Sequence, residues 1–129
     1  MPTTITKRYA FEAAHFLPNV PDGHKCKRVH GHNYEIEVTV KLGPLGNVAN
    51  DGFVIDFWDL DDIVDPIVET VDHRTLNDIA GLDNPTAELI AGWFQAAINL
   101  GLRAEFANIF CTQVVVYETK NCFATVTLP

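Results

Sequence analysis

Cysteine is scarce in this sequence, whose 129 residues include only Cys26, Cys111 and Cys122. No two of them form a Cys-x-x-Cys pair, so the chain lacks the ligand spacing of a zinc finger. An odd and sparse cysteine count also argues against a framework of disulfide bonds. We therefore expect a protein of a reducing compartment, and we predict that it is cytoplasmic.

Long apolar runs and an excess of positive charge are also missing. No stretch reaches the length of a membrane-spanning helix, and the N-terminal residues show no charged region followed by an apolar one. Nine Lys and Arg residues stand against 17 Asp and Glu residues, which gives a net charge of −8. Such an acidic chain is a poor general binder of nucleic acid. We therefore expect neither a membrane nor a nucleic acid as a partner.

The most informative feature that is present is a group of histidines in two short segments. His15 ends the segment FEAAH, and His30 and His32 lie in the segment CKRVHGHNY. Side chains at i and i+2 of a strand share a face, and a neighbouring strand can add His15 to that face. Three nitrogen ligands with an open fourth position are typical of catalytic zinc, although iron and nickel accept them too. The alternative is a set of buried histidines satisfied by hydrogen bonds.

Alternation of apolar and polar residues predicts the strands. The clearest pattern covers residues 30–42, where His30 and His32 fall on the apolar parity. Further strands are predicted at 3–16, at about 109–119 and 122–128, and over the short segment Gly52–Phe57.

Apolar residues at helical spacing predict two helices. Asp56 is expected to cap the first helix, and Pro66 is expected to bend it. Asn84 and Pro85 are expected to begin the second helix, and Gly101 to end it. The predicted buried faces are Leu60, Ile63, Val64, Ile67, Val68 and Val71 in the first, and Leu89, Ile90, Trp93, Phe94, Ala97 and Ile98 in the second.

The order of elements therefore predicts an α+β fold. Because both helices have one apolar face, they should pack as a layer on one side of a sheet. We predict a single two-layer domain over residues 1–129, with a four-stranded antiparallel sheet in ββααββ order.

Cys26 lies among three of the nine basic residues, which are Lys25, Lys27 and Arg28. Neighbouring cations favour the thiolate form of a cysteine, which could either transfer protons or close a metal site as a fourth ligand. The cations themselves could bind phosphate groups of a substrate, or they could simply be solvated in a loop. The sequence alone leaves these alternatives open.

Two acidic groups complete the candidate residues. Asp72 and His73 end the first helix, where a carboxylate could orient the imidazole for proton transfer, unless both are surface residues. Glu118 shares the parity of Val114 and Val116, so it is expected to point inward and to need a partner. That partner could be a heterocycle that presents adjacent N–H and NH₂ groups, or a cation of another subunit.

The chain resembles the 6-pyruvoyl-tetrahydropterin synthase superfamily. The segments FEAAH, CKRVHGHNY, FVIDFWDL, VDHRTLND, NPTAE and VYET occur in the order seen in that family and cover nearly the whole chain. Three residues separate Cys26 from the HGH motif, which is similar to the bacterial 6-carboxy-tetrahydropterin synthase branch of queuosine biosynthesis.

This resemblance implies a fold, a reaction and a set of site residues. The fold would be the T-fold, whose subunits join edge to edge into a barrel, commonly a hexamer, with active sites between subunits. The reaction would convert 7,8-dihydroneopterin triphosphate to 6-carboxy-5,6,7,8-tetrahydropterin, acetaldehyde and triphosphate. The implied zinc ligands are His15, His30 and His32; the implied catalytic residues are Cys26, Asp72 and His73; and the implied pterin contacts are Glu118 and Glu88.

Two rival functions remain at this stage. One is the pyruvoyl-forming reaction on the same substrate, and the other is a non-catalytic, zinc-stabilised pterin-binding module in which Cys26 closes the metal site. Lys25, Lys27 and Arg28 are our own candidates for triphosphate binding, while His24 and Arg74 receive no role.

Overall fold

The computed structural model describes residues 3–43, 48 and 51–128. Short 3₁₀ turns occur at Lys25–Lys27 and Leu76–Asp78. The helices and strands follow one another as β1 (Thr4–His15), β2 (His30–Leu42), α1 (Phe57–Val71), β3 (Arg74–Thr75), α2 (Ala87–Glu105), β4 (Ile109–Thr119) and β5 (Cys122–Thr127).

The sheet has the order β3-β1-β2-β4-β5. All neighbouring strands are antiparallel except β3, which pairs parallel to β1. The α+β class is confirmed, and the sheet has one strand more than the four predicted. The additional strand has two residues, which is too short for any periodic pattern. It forms because the chain leaving α1 lies against Ala13 and Ala14 of β1.

The strands bury one face under the helices and leave the other face open. In β2, Tyr34, Ile36, Val38 and Val40 are fully buried, while the residues between them are exposed or half-buried. Because the histidines of β2 have the same parity as this buried set, they lie on the helix-covered face, as predicted.

Helix α1 begins and packs as its sequence indicates. Asp56 caps it by accepting a hydrogen bond from the backbone of Trp58 at 2.7 Å. Pro66 lies inside the helix, as expected. The predicted apolar stripe is buried apart from Ile67, which is half-buried against the core.

Helix α2 departs from the prediction at both ends. Thr86, not Asn84, is the N-cap, and the helix continues through Gly101 to Glu105. A Cβ atom at Gly101 would lie 3.0 Å from Ile63 of α1, so this glycine allows close helix packing and does not end the helix. The buried face is also rotated relative to the predicted one: Leu89 is exposed, and the face consists of Ala87, Ile90, Ala91, Phe94, Gln95, Ile98 and Leu102.

The predicted strand at Gly52–Phe57 is absent from the structure, where this segment forms bends before α1. Val54 and Ile55 are nevertheless buried in the core. Their apolar character thus reflects burial without strand pairing, a case that periodicity does not distinguish from a short strand. Within the described part of the chain, no helix has both the length and the apolar character needed to cross a bilayer.

Candidate metal centre and adjoining cavities

The pairing of β1 with β2 brings the three predicted histidines together. His15 ends β1 opposite His30, which begins β2, and His32 lies opposite Ala13. The ring centroids are 4.5 to 5.1 Å apart, and the candidate ligand atoms lie within 4.8 Å of one another. Among residues 3–43, 48 and 51–128, no other group of three or more metal-ligating side chains is found.

Backbone carbonyl groups orient two of these rings. The Nδ1 atom of His15 lies 2.8 Å from the carbonyl oxygen of Pro85, and that of His30 lies 2.8 Å from the carbonyl oxygen of Arg28. Because a carbonyl oxygen only accepts, each Nδ1 carries a proton, and Nε2 is the nitrogen that could bind a metal ion. Hydrogen bonds of this kind orient imidazoles that bind metals.

Two nitrogen atoms of this cluster are buried without a hydrogen-bond partner in the described structure: Nε2 of His15 and Nε2 of His32. Burial lowers the pKa of both rings and outweighs the opposing effect of the Glu118 carboxylate. Both rings are therefore neutral near pH 7. Neutral imidazoles with unshared lone pairs at close range fit a bound metal ion.

The thiol of Cys26 is not part of the histidine cluster. Cys26 lies half-buried in the 3₁₀ turn, where its N–H donates to Nδ1 of His24 at 3.0 Å. Its carbonyl oxygen accepts from the backbone N–H of Leu17 at 2.8 Å, which ties the turn to the segment after β1. The donor set is therefore three nitrogen atoms, the arrangement that leaves a tetrahedral ion one open position.

Asp72 and His73 contact each other at the end of α1. Nδ1 of His73 lies 2.9 Å from the carboxylate of Asp72. The same carboxylate accepts a hydrogen bond from the backbone N–H of Glu12 at 2.9 Å. Both hydrogen bonds lower the pKa of Asp72, and the one from Glu12 has the larger effect. In the part of the chain that is described, no hydrogen bond joins Cys26 to this pair.

Glu12 is a residue of this site that the sequence did not reveal. Its carbonyl oxygen accepts the backbone N–H of His73 at 2.6 Å, and its carboxylate lies 3.4 Å from Nε2 of His73. These contacts hold His73 at a positive φ of 57°. Glu12 points to the open face of the sheet, opposite to His15. The alternation along β1 therefore indicated only that its side chain is exposed, not that it contacts His73.

An open cavity of about 530 Å³ extends from His32 of the histidine cluster to His73 of the Asp72–His73 pair. It includes residues of β1, β2 and β3, and so lies at the edge where the short parallel strand joins the sheet. Its lining consists of Glu12, Ala13, Ala14, Gly31, His32, Asn33, His73, Arg74 and Thr75.

Glu118 lies at the other side of His32, where its carboxylate is 3.9 Å from Nε2 of that ring. The pairing of β4 with β5 shifts between Tyr117 and Thr119, so Glu118 is at a bulge. Bulges redirect side chains and are common beside active sites. A second cavity, of about 470 Å³, is lined by Ala87, Glu88, Glu118, Cys122, Phe123, Ala124 and Thr125.

The structure brings Glu118 and Glu88 to one cavity but does not bring the basic residues to either. Lys27 forms an ion pair with Asp22 at 2.6 Å and also donates to the carbonyl oxygen of Val20. Lys25 and Arg28 are exposed. Neither Lys25, Lys27 nor Arg28 lines the cavities described above.

Tyr34 is a further residue of this site, for which the sequence indicated no functional role. Its ring contacts those of His15 and His32 edge-on, with centroids 5.9 and 5.3 Å away. Its hydroxyl is buried and has no hydrogen-bond partner in the described structure. Burial, and then the charge of Glu118, raise its pKa, so it remains a protonated donor.

Comparison with known proteins places this geometry in a family. Residues 4–129 match the family model described as 6-pyruvoyl tetrahydropterin synthase. A 6-carboxy-5,6,7,8-tetrahydropterin synthase of Synechocystis sp. is 43% identical over 96 residues, which are 73% of this chain and 73% of that protein. A dihydroneopterin monophosphate aldolase of Pyrococcus furiosus is 37% identical over 102 residues, covering 79% of this chain and 80% of the relative.

The fold matches as well. The 6-pyruvoyl tetrahydropterin synthase of Caenorhabditis elegans superposes with a TM-score of 0.85 over all of this chain and 97% of that one, at 24% identity. The resemblance noted in the sequence is thereby confirmed, together with the T-fold and an enzymatic function. The chain belongs to the 6-pyruvoyl tetrahydropterin synthase family of enzymes.

Proposed function

We propose that this enzyme is a 6-carboxy-5,6,7,8-tetrahydropterin synthase, a zinc-dependent lyase of queuosine and 7-deazapurine biosynthesis. It would convert 7,8-dihydroneopterin triphosphate and water to 6-carboxy-5,6,7,8-tetrahydropterin, acetaldehyde and triphosphate. The observation that carries the proposal is the cluster of His15, His30 and His32, in which Nε2 of His15 and Nε2 of His32 are buried without a hydrogen-bond partner in the described structure. The Synechocystis relative of that name supports the choice of reaction.

The three histidines would hold the zinc ion. The carbonyl groups that accept from Nδ1 of His15 and His30 direct the opposite nitrogen of each ring toward the ion. When bound, zinc supplies a Lewis acid that makes nearby substrate hydroxyl groups more acidic.

Cys26 and the Asp72–His73 pair would move the protons. Cys26 lies outside the ligand cluster, so its sulfur would be available to act as the base that takes a proton from a carbon atom of the substrate side chain. Asp72 orients the imidazole of His73, which would return a proton at another position. Since no described contact joins Cys26 to this pair, the two act on the substrate independently or meet across a subunit boundary.

Glu118 and Glu88 would recognise the pterin. They line the same cavity, and Glu118 lies beside the histidine cluster. A carboxylate can accept two hydrogen bonds from the adjacent N–H and NH₂ groups of a pterin ring. Lys25, Lys27 and Arg28 stay our candidates for contacts to the triphosphate, with Lys27 the least available because Asp22 holds it.

We further propose that the chain acts as a homo-oligomer in the cytoplasm, as a single T-fold domain over residues 1–129. Both edge strands, β3 and β5, have one side without a partner within the described chain. Pairing of such edges between subunits would cover them and form the expected hexamer with active sites at the boundaries. Analytical ultracentrifugation of the zinc-loaded protein tests this arrangement.

A product assay tests the reaction. The zinc-loaded protein is incubated with 7,8-dihydroneopterin triphosphate, and acetaldehyde and the pterin products are identified by trapping and mass spectrometry. We expect equal amounts of acetaldehyde and 6-carboxy-5,6,7,8-tetrahydropterin. A pyruvoyl product without acetaldehyde would instead identify the pyruvoyl-forming reaction, and tight pterin binding without turnover would identify a binding module.

An aldolase acting on dihydroneopterin monophosphate is a second candidate, because the Pyrococcus furiosus relative carries that name. The same assay separates the two reactions when the monophosphate is offered beside the triphosphate. Preference for the monophosphate, with cleavage of the side chain and no release of triphosphate, would favour the aldolase.

A further inference from the structure

Arg74 has an unusual position for a charged residue of this chain. It lines the cavity that connects His32 with His73, and its backbone is fixed by the pairing of β3 with Ala13 of β1. Among the residues that line the cavities described here, it is the one Lys or Arg residue. Its guanidinium forms no ion pair with any residue in the described part of the chain.

The acidic residues around this cavity, Glu12 and Asp72, contact His73 and form no ion pair with Arg74. The carboxylate of Glu12 lies 3.4 Å from Nε2 of His73. The carboxylate of Asp72 lies 2.9 Å from Nδ1 of the same ring and also accepts the backbone N–H of Glu12. Arg74 therefore has no ion-pair partner among the described residues, although the whole chain has a net charge of −8.

Several other cations of the chain have partners. Lys7 pairs with Asp61 at 2.7 Å, and Arg8 pairs with Glu37 at 2.7 Å. These side chains are therefore less available to an external anion than an unpaired guanidinium that lines a cavity. A guanidinium can form two parallel hydrogen bonds to phosphoryl oxygen atoms, a geometry that a lysine does not offer.

We propose that Arg74 binds the phosphate chain of the substrate. The amide of Asn33 and the hydroxyl of Thr75 line the same cavity and supply further donors for phosphoryl oxygen atoms. Because a triphosphate carries more negative charge than a monophosphate, a guanidinium without an ion-pair partner favours the longer chain. This inference rests on the proposed function, and it names the residue that selects between the two phosphorylated substrates.

Binding of inorganic tripolyphosphate tests this site without any pterin chemistry. Isothermal titration calorimetry is carried out on the zinc-loaded wild type, on R74Q and R74K, and on the matched control R103Q. Arg103 is an exposed arginine in the last turn of α2, away from the cavities described here. We expect R74Q to weaken binding about 10-fold, R74K to weaken it less, and R103Q to leave it unchanged.

Kinetics with the two phosphorylated substrates provide a second readout. R74Q should raise KM for the triphosphate about 10-fold and lower the preference for triphosphate over monophosphate, with bound zinc unchanged. Equal tripolyphosphate affinity in wild type and R74Q, or no binding to the wild type, would overturn the proposal. Loss of tripolyphosphate binding in R74Q without any turnover in the wild type would support the phosphate site and contradict the proposed reaction instead.

Discussion

The helix-covered face of the sheet satisfies its polar side chains at one end and leaves some of them without a partner at the other. At one end Lys7 and the hydroxyl of Tyr9 both donate to the carboxylate of Asp61, at 2.7 and 2.9 Å. At the other end, Nε2 of His15 and the hydroxyl of Tyr34 are buried without a hydrogen-bond partner in the described structure.

This difference separates a structural cluster from a functional one. A buried polar group without a partner costs stability, so such groups persist where something outside the chain completes them. The Lys7–Tyr9–Asp61 cluster is complete by itself and ties β1 to α1. The histidine cluster leaves two nitrogen atoms without a partner in the described structure and could hold a metal ion, which is why we propose chemistry at that end of the sheet.

The largest expected effect is loss of the metal from the histidine cluster. The change His30→Ala should reduce zinc from about one equivalent to a trace, and turnover by at least about 100-fold, because two nitrogen ligands do not retain the ion. Metal analysis of the purified protein measures the first effect, and the product assay measures the second. His24→Ala, outside the cluster, serves as the control for zinc content only, because His24 accepts a hydrogen bond from the backbone of Cys26. Full zinc content in His30→Ala would contradict the assignment.

A smaller effect is expected for the thiol beside the cluster. Cys26→Ala should lower kcat by about 10²- to 10⁴-fold, the usual contribution of a general acid or base, while zinc content stays at the wild-type level. Kinetic measurement and metal analysis on the same preparation check both statements. Loss of most of the zinc would show instead that Cys26 is a ligand and that the site is closed.

Two tyrosines provide a matched test of the comparison itself. Tyr9→Phe should lower the free energy of unfolding by about 1 kcal/mol, because it removes a hydrogen bond to Asp61. Tyr34→Phe should instead raise the same quantity by about 1 kcal/mol in metal-free protein, because it removes a buried hydroxyl that has no hydrogen-bond partner in the described structure.

Urea denaturation of both variants at one protein concentration gives these values. A loss of stability in Tyr34→Phe equal to that in Tyr9→Phe would mean that the two ends of the face do not differ.

The smallest effect concerns pH. Burial alone would raise the pKa of Asp61. The hydrogen bonds from Lys7 and Tyr9 have the larger combined effect, so the pKa lies below its usual value. A lowered native pKa adds stability that is present above about pH 4 and is lost as the pH falls through the native pKa. Thermal unfolding between pH 2 and 6 should therefore show that the Tm of the wild type falls more steeply with decreasing pH than the Tm of Asp61→Asn. Parallel curves would contradict this.

The sequence predicted the structure correctly where apolar residues recur with a strand or helix period and are buried in the fold. The parity of β2 predicted that His30 and His32 share the face of Tyr34 and Ile36, and they do. The spacing of apolar residues in α1 predicted its core-facing stripe. In these cases a local period of 2 or 3.6 residues carries the information, and the tertiary structure agrees with it.

The sequence was insufficient where distant segments determine the structure. Strand β3 exists only because it meets β1, Glu118 is redirected by a shift in pairing with β5, and Gly101 is required by Ile63 of another helix. Glu12 joins the site through its backbone and an exposed carboxylate, neither of which leaves a periodic signal. Such contacts depend on tertiary packing, which a pattern of apolar residues does not contain.

The left-handed backbone of His73 restricts what evolution can place there. At a φ of 57°, β-branched and bulky residues are strained, whereas histidine belongs to the small group of non-glycine residues that adopt this region more often than others. Substitutions at this position would therefore be limited twice, once by the proton transfer that we propose for the ring and once by the backbone torsion angle. Glycine would adopt this torsion angle without strain but has no side chain to transfer a proton. His73→Gly would therefore separate the requirement for the backbone conformation from the requirement for the imidazole.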